Sequence, residues 1–332
     1  MRNIWLNWVA LSILALITVM PASAADTKDE TKLKLAHALS STSHYGAGAS
    51  AFANSLETIS KGKFIVEKFP NNKLGSEHEV IEGLQSGKID LAVISTSAVM
   101  DLIPEIGMFD IPFLMHDLQH ARNVLDGSIG KNILSKFPEK GIVALAWGEQ
   151  GFRHLTNNVR PVLTPEDARG LKIRTPQNSI HVAGFNYIGI LPVPMTLTDA
   201  VKSLKDGSID GQENPLSVII ATQMYNMQKY LSLTGHVYAP ALILVSSKLY
   251  KQLSSTDKKL FQKSGRAACL KMRDFVDDIE KRSLERLRKE GMQVTEVERA
   301  SFAMAMEPVY TEFYKKFDKR IIDAIPFQRK FQ

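Results

Sequence analysis

The sequence predicts an α/β fold of two lobes, each built from a mainly parallel sheet covered by helices. About 308 of the 332 residues remain after a predicted leader, more than one hydrophobic core usually serves. The phrase Leu-x-x-Gly-x-Ile-Asp occurs at 84–90 and again at 204–210. It is typical of a helix end with a left-handed glycine that leads directly into a strand. Each copy comes late in a strand–helix–strand series, which favours two lobes of similar topology.

The predicted elements of the first lobe alternate between strands and helices. A strand is expected at 33–38, a helix from about 46 to 60, and a second strand at 64–69, which is rich in β-branched and aromatic residues. The helix that ends in the first copy of the repeat follows. A strand at 91–94 continues directly from that copy.

The second lobe is predicted to begin with an apolar strand at 141–147. The elements expected after it are a helix start at 164–167, with Thr164 as cap and Pro165 at its first position, a strand at 170–175, a helix at about 179–188, and a rigid extended segment at 192–194. The second copy of the repeat comes next, and a buried strand at 241–246 follows it.

The last long element is a helix from Ser255 to about Glu290, with Asp257 in its first turn and Gly291 at its end. Apolar residues recur along one face of it, as an amphipathic helix requires. At 1.5 Å per residue, a helix of about 35 residues spans about 50 Å. This helix is therefore long enough to lie across both lobes.

Each lobe is predicted to be discontinuous along the chain. Residues 25–149 and about 239–279 are assigned to lobe I. Residues 150–238 and about 280–332 are assigned to lobe II.

Residues 1–24 have the features of a secretory signal peptide: a short basic start, an apolar run, and a small-x-small site. Cleavage is expected after Ala24, which places the mature protein in the periplasm. The alternative is a membrane anchor, but the apolar run is shorter than the roughly 20 residues that span a bilayer.

Composition and motifs exclude several function classes. The formal net charge is +6, and the basic residues form no aromatic-interleaved stripe, so nucleic acid is not an expected partner. Cys269 is the single cysteine and is interpreted as a buried apolar residue. The sequence contains no zinc-protease, paired-cysteine, phosphate-loop, dinucleotide-binding or nucleophile-elbow motif. His116 and His120 are four apart but lack a third ligand nearby. No catalytic residue, cofactor or metal is therefore expected.

Two arginines are placed where an anion could bind. Arg174 ends the strand at 170–175, and strand ends in an open α/β sheet face the crevice where ligands bind. Arg153 is predicted to follow a strand and a glycine and to project into the same crevice. A guanidinium matches a carboxylate because its planar fork gives two parallel charge-assisted hydrogen bonds. Taken singly, each arginine is more simply explained as a surface or structural ion pair.

Polar residues mark the corresponding strand ends of both lobes. Asp210-Gly211-Gln212-Glu213-Asn214-Pro215 follows the second copy of the repeat. Asn214 could exchange hydrogen bonds with a ligand, and Glu213 could orient an arginine from behind. In the first lobe the equivalent segment is Ser95-Thr96-Ser97. These small hydroxyl residues are turn formers by default, but the repeat places them opposite Asn214.

Taken together, the motifs resemble those of one family: the DctP-type substrate-binding proteins of tripartite ATP-independent periplasmic (TRAP) transporters. The resemblance covers essentially the whole mature chain. The motifs are Ser60-x-Gly62, Leu74-Gly75, Gln85-x-Gly87-x-x-Asp90, Gly151-Phe152-Arg153-x-x-Thr156-Asn157, Gly170-Leu171-Lys172-Ile173-Arg174, Pro192-x-Pro194-Met195 and Asp210-Gly211-Gln212-Glu213-Asn214-Pro215. The resemblance implies a periplasmic-binding-protein-like (Venus flytrap) fold, with two α/β lobes, a deep cleft, a long helix across both lobes, and closure on the ligand.

The resemblance also implies roles for individual residues. It makes Arg174 the carboxylate clamp, Arg153 a second anion contact, and Asn214 a ligand contact. Ser95 stands where sialic-acid-binding relatives have an acidic residue, so a sialic acid ligand is not expected. Glu77 stands where those relatives have Asp. Ser95, Thr96 and Glu77 are expected to help select the ligand. Leu197 occupies a position where many relatives carry a ligand-flanking Phe.

The implied function is capture of an organic acid anion, a C4-dicarboxylate or similar carboxylate, for delivery to the small and large subunits of a TRAP membrane permease. A monomer is expected. The alternative ligand is a uronate or other sugar acid. The alternative partner is a histidine kinase, for which the chain would act as sensor subunit. A periplasmic enzyme would need an acid/base pair in the cleft, such as Glu77 or Glu213 with His37, and is not expected.

Overall fold

The computed structural model describes residues 30–325, so the predicted signal peptide and its cleavage site after Ala24 lie outside the described residues. The strands are β1 (Thr31–His37), β2 (Phe64–Phe69), β3 (Leu91–Ser95), β4 (Ile142–Asn157), β5 (Lys172–Thr175), β6 (Leu191–Pro194), β7 (Gly211–Pro215), β8 (Tyr230–Ser246) and β9 (Gln293–Thr295).

The helices contribute more of the chain than the strands. They are α1 (His44–Ile59), α2 (Glu77–Ser86), α3 (Leu118–Asp126), α4 (Ser128–Leu134), α5 (Ser179–Tyr187), α6 (Leu197–Asp206), α7 (Leu216–Ala221), α8 (Ser247–Gln252), α9 (Ser255–Lys289), α10 (Arg299–Met306), α11 (Tyr310–Lys316) and α12 (Lys319–Ala324). Short 3₁₀ turns connect several of them. Within residues 30–325, no helix combines the length and apolar character that a membrane crossing requires.

The strands lie in the order β2-β1-β3-β8-β4-β7-β5-β6, with β9 beside β8. Strand β1 pairs in parallel with β2 and β3, and β5 pairs in parallel with β6 and β7. The long strands β4 and β8 are antiparallel to each other and connect these two parallel groups. The predicted two-lobed α/β fold is therefore confirmed. The predicted lobe boundaries at 149/150 and 238/239 fall within β4 and β8, and the exact division stays a prediction.

The internal repeat is confirmed in atomic detail. Gly87 and Gly207 end α2 and α6 in the left-handed conformation, with φ of 76° and 72°. Asp90 then accepts a hydrogen bond from the backbone N–H of Lys34 at 2.8 Å, and Asp210 accepts one from that of Lys172 at 2.7 Å. Each aspartate thus ties its strand entry to the neighbouring parallel strand of its own lobe.

The long helix α9 also forms as predicted, and Ser254 caps it by accepting from the backbone N–H of Asp257 at 3.0 Å. Near its start, Phe261 packs against Phe64 of the first lobe, with ring centroids 5.2 Å apart. Near its end, Leu287 belongs to a buried cluster with Leu231 and other residues of the second lobe. The helix therefore contacts both lobes.

Two local predictions are wrong. The segments at 141–147 and 151–157 are not separate, because β4 continues through both, and Arg153 lies within a strand instead of after one. Gly151 has a φ of 106° and sits at an irregularity in the β4–β8 register, but pairing with β8 carries the strand past it. The helix start at 164–167 is only a 3₁₀ turn, Glu166–Ala168. There Asp167 accepts from the backbone N–H of Thr164, so the threonine does not act as the cap.

Candidate ligand-binding cleft

A cavity of about 100 Å³ lies where the carboxyl ends of β1, β3, β5 and β7 meet between the lobes. Residues from both lobes form its wall. They are Ala38, Leu39, Tyr45, Asn72, Ser76, Glu77, His78, Ser95, Ser97, Ala98, Gln150, Arg153, Arg174, Pro176, Gln177, Met195, Thr196, Leu197, Thr198, Asn214 and Val218. The predicted residues Arg174, Arg153, Asn214, Glu77 and Ser95 are thus brought together around one space.

Arg174 lines the cavity and is 4% exposed as a residue. Its Nε and Nη2 both donate to the backbone oxygen of Met195, at 3.0 and 2.7 Å. Burial, together with the nearby positive charge of Arg153, lowers the pKa of Arg174 to about 10. No carboxylate of residues 30–325 forms an ion pair with it. The cavity therefore presents a buried positive charge that the described protein does not neutralise directly.

Arg153 is positioned differently, because it already has a carboxylate partner. Its Nε and Nη2 donate to the Glu213 carboxylate at 2.5 and 2.9 Å, and Nη2 also donates to Oδ1 of Asn214 at 3.1 Å. Strand β4 is antiparallel to β7 here, which places Arg153 opposite Pro215 and next to both partners. The fork is fixed before any ligand enters.

Glu213 does not line the cavity; it lies fully buried behind Arg153. Its Oε1 is 3.3 Å from Nδ1 of His181, and its Oε2 is 3.0 Å from Nε2 of His236. Burial acts to raise the pKa of the Glu213 carboxyl, but Arg153 and His181 outweigh it and hold that pKa well below its usual range. Glu213 is thus an ionised support for the arginine.

Asn214 reaches the cavity as part of a chain of buried amides. Its Nδ2 donates to Oε1 of Gln212, and Gln212 Nε2 donates to Oγ1 of Thr156 at 2.9 Å. Because its Oδ1 accepts from Arg153, the orientation of the Asn214 amide is fixed from both ends.

The opposite wall of the cavity carries a carboxylate. Glu77 is the first residue of α2, directly after the cap Ser76, and its Oε1 and Oε2 accept from the backbone N–H and the hydroxyl of Ser95 at 2.8 and 2.6 Å. Burial raises the pKa of Glu77, although the hydrogen bonds from Ser95 act to lower it. The equivalent first residue of α6 in the repeat is the apolar Leu197. The cleft is therefore cationic on the Arg174 side and acidic at Glu77.

Thr96 lies apart from this group. Strand β3 ends at Ser95, and the 3₁₀ turn Thr96–Val99 directs the Thr96 side chain into the interior, where it is 1% exposed. Its hydroxyl lies 3.4 Å from the backbone oxygen of Pro240. Its predicted ligand contact has no support from this geometry.

Sequence reasoning missed two features of the cleft. Gln150 lines it from β4 and donates to the backbone oxygen of Pro240 at 3.1 Å. At the mouth, Asn72 Nδ2 donates to Oγ1 of Thr198 at 3.2 Å, which joins the two lobes. No motif distinguishes these residues, since only the packing of the lobes brings them together. Within residues 30–325, no group of three or more His, Cys, Asp or Glu side chains could hold a metal ion.

Comparison with known proteins identifies similar chains. The family model described as DctP, bacterial extracellular solute-binding protein, family 7, matches residues 35–316. A TRAP periplasmic solute-binding protein from Bordetella bronchispeptica, with density interpreted as pantoate, is 59% identical with a TM-score of 0.88, over 89% of this chain and 98% of that one. A solute-binding protein from Verminephrobacter eiseniae is 39% identical over 89% of both chains.

A second solved structure is a TRAP periplasmic solute-binding protein from Polaromonas sp. JS666 bound to D-erythronate. It is 43% identical, with a TM-score of 0.87, over 89% of this chain and 98% of that one.

Proposed function

We propose that this chain, which belongs to the DctP family of bacterial extracellular solute-binding proteins, captures a short hydroxylated monocarboxylate in the cleft between its lobes. The ligand would be bound and released without chemical change. In the proposed pathway the mature protein is periplasmic and delivers the ligand to the small and large subunits of a TRAP permease.

The observation that carries this proposal is the buried Arg174 guanidinium. Removing a cation from water costs several kcal/mol unless a counter-charge or hydrogen bonds compensate. The Met195 carbonyl accepts from two of the five N–H donors, and none of the described carboxylates pairs with the group. A ligand carboxylate would supply both the missing charge and the matching planar geometry. Arg153 and Asn214, already fixed by Glu213 and Gln212, would meet the same carboxylate.

Glu77 supports a monocarboxylate in place of the C4-dicarboxylate expected from the sequence. Two donors from Ser95 stabilise the ionised form of Glu77 at the opposite wall. A second ligand carboxylate there would meet a like charge. A ligand hydroxyl would instead donate to the carboxylate in a charge-assisted hydrogen bond.

The similar structures support a short backbone. Pantoate and D-erythronate, the molecules associated with the two similar structures, are both monocarboxylates on a four-carbon backbone with hydroxyls at C2 and C4. The carboxylate of such a ligand fits the cationic wall at Arg174, and its hydroxyls fit the hydrogen-bond-accepting wall at Glu77.

The test is thermal unfolding of the purified mature chain with a matched panel of four-carbon acids. D-erythronate and pantoate should raise the melting temperature, since a ligand at about 100 times its Kd stabilises by about 2.7 kcal/mol. Succinate, which has the same backbone length but two carboxylates and no hydroxyl, should give a much smaller shift. A larger shift with succinate would contradict the monocarboxylate assignment. No shift with any acid of the panel would contradict the function itself.

A further inference from the structure

Behind Arg153, away from the cavity wall, the buried His181 side chain lies between the carboxylates of Asp110 and Glu213. We call this group of three residues the charge bridge. The His181 side chain is 1% exposed, and its two ring nitrogens each lie near a carboxylate. Nε2 is 3.2 Å from Oδ1 of Asp110, and Nδ1 is 3.3 Å from Oε1 of Glu213. The second partner is the same carboxylate that holds the Arg153 fork.

The geometry determines the charge of this imidazole. Both nitrogens face carboxylate oxygens, and both can donate only in the cationic form. Burial acts to lower the pKa of His181, but Glu213 and Asp110 outweigh it and raise that pKa. His236 is the contrasting case. Its Nδ1 lies 2.7 Å from the Thr234 hydroxyl, which can donate to it, so a neutral ring can still donate from Nε2 to Glu213.

The rest of the bridge fixes the imidazolium in place. Asn178 caps α5 by accepting from the backbone N–H of Ile180 at 2.9 Å, and its Nδ2 donates to Oδ2 of Asp110 at 2.8 Å. Asp110 is itself 2% exposed and ends the 3₁₀ turn Pro104–Asp110. The first turn of α5, which carries His181, is therefore docked on Asp110.

We propose that His181 is a positioning residue for ligand binding: its imidazolium, held by Asp110, fixes Glu213 and thereby sets the orientation in which the Arg153 guanidinium meets the ligand carboxylate. The charged and titratable groups around the ring are Asp110, Glu213, His236 and Arg153. Loss of the imidazolium leaves Glu213 with less positive charge around it, so its carboxylate draws Arg153 away from the ligand. The inference rests on the proposed function, since it requires that Arg153 contacts the bound acid.

The test is calorimetry with D-erythronate as the probe on a double-mutant cycle of the mature chain. His181→Gln should weaken binding by about tenfold with Arg153 present, and by less than about twofold in an Arg153→Lys background, where no fork can be positioned. His181→Lys, which keeps a positive charge, should recover part of the lost affinity. His120→Gln on α3 is the matched control and should bind as the wild type does.

Three results would separate the possible failures. Wild-type affinity in His181→Gln, or equal losses in both Arg153 backgrounds, would overturn the positioning role. Failure of the wild-type chain to bind D-erythronate or pantoate would instead refute the proposed function. If His181→Gln does not fold, Asp110→Asn replaces it in the cycle; it removes one carboxylate from the bridge and should weaken binding only when Arg153 is present.

Discussion

Replacing Glu77 with glutamine tests how the cleft distinguishes one acid from another. The substitution keeps the size of the side chain and removes its charge. A glutamine can accept only one of the two hydrogen bonds that Ser95 now donates, at 2.8 and 2.6 Å. We therefore expect a change in ligand preference, with only a modest loss of stability.

The size of the change follows from two opposed effects. A ligand hydroxyl that donates to a carboxylate contributes about 1.5–3 kcal/mol, so D-erythronate should bind about 10- to 150-fold more weakly to Glu77→Gln. Two like charges about 5 Å apart repel by about 3 kcal/mol at an effective dielectric constant of about 20, so succinate should bind more tightly. The ratio of the two affinities should therefore shift by at least about 100-fold.

Calorimetric titration of both acids measures this ratio directly. Glu82→Gln is the matched control, because Glu82 lies on the same helix, α2, but is exposed. Because the pKa of Glu77 is raised, the wild-type protein at acidic pH carries a neutral side chain there and should resemble the variant. A Glu77→Gln protein with an unchanged ratio of affinities would refute the reasoning.

Two further predictions concern stability. Gly211→Ala should cost more than about 3 kcal/mol in urea unfolding, because its Cβ would lie 1.9 Å from the backbone oxygen of Thr156, whereas Gly207→Ala, with φ of 72° and open space, should cost about 1 kcal/mol. Equal losses would show that close approach of β4 and β7 is not the reason for Gly211. Burial and two nearby carboxylates raise the pKa of Glu280 from 4.5 to about 7. The folded protein therefore loses stability progressively as the pH rises from about 4.5 to about 7. Glu280→Gln should then be more stable than the wild type by about 2 kcal/mol at pH 8 and by little at pH 4; an equal difference at both pH values would contradict this account.

The features that the sequence predicted correctly are those with local causes. The helix ends at Gly87 and Gly207 follow from the left-handed conformation that glycine favours, and the aspartate three residues later reaches the neighbouring strand in both lobes. The long helix follows from its apolar periodicity and from Asp257 in its first turn. Neither prediction required knowledge of distant contacts.

The features that the sequence did not predict depend on tertiary contacts or on local rotation of the chain. Strand β4 continues through Gly151 because β8 pairs with it on both sides of the glycine, which no local pattern reveals. Thr96 lies in the interior, between Ser95 and Ser97 of the cavity wall, because the chain enters a 3₁₀ turn directly after Ser95. The charge bridge joins His181 to Asp110, which is 71 positions away in the sequence, and to Glu213, which is 32 positions away. Its partners could therefore not be inferred from spacing.

The most direct test of the central claim is calorimetric binding of D-erythronate to the Arg174→Met variant, with melting measured in parallel. Methionine fills similar volume without a charge, so the variant should fold and melt close to the wild type. The carboxylate clamp predicts a loss of affinity of at least about 100-fold, as expected when a buried, charge-assisted pair loses one partner. Binding within a few-fold of the wild type would contradict the assignment of Arg174.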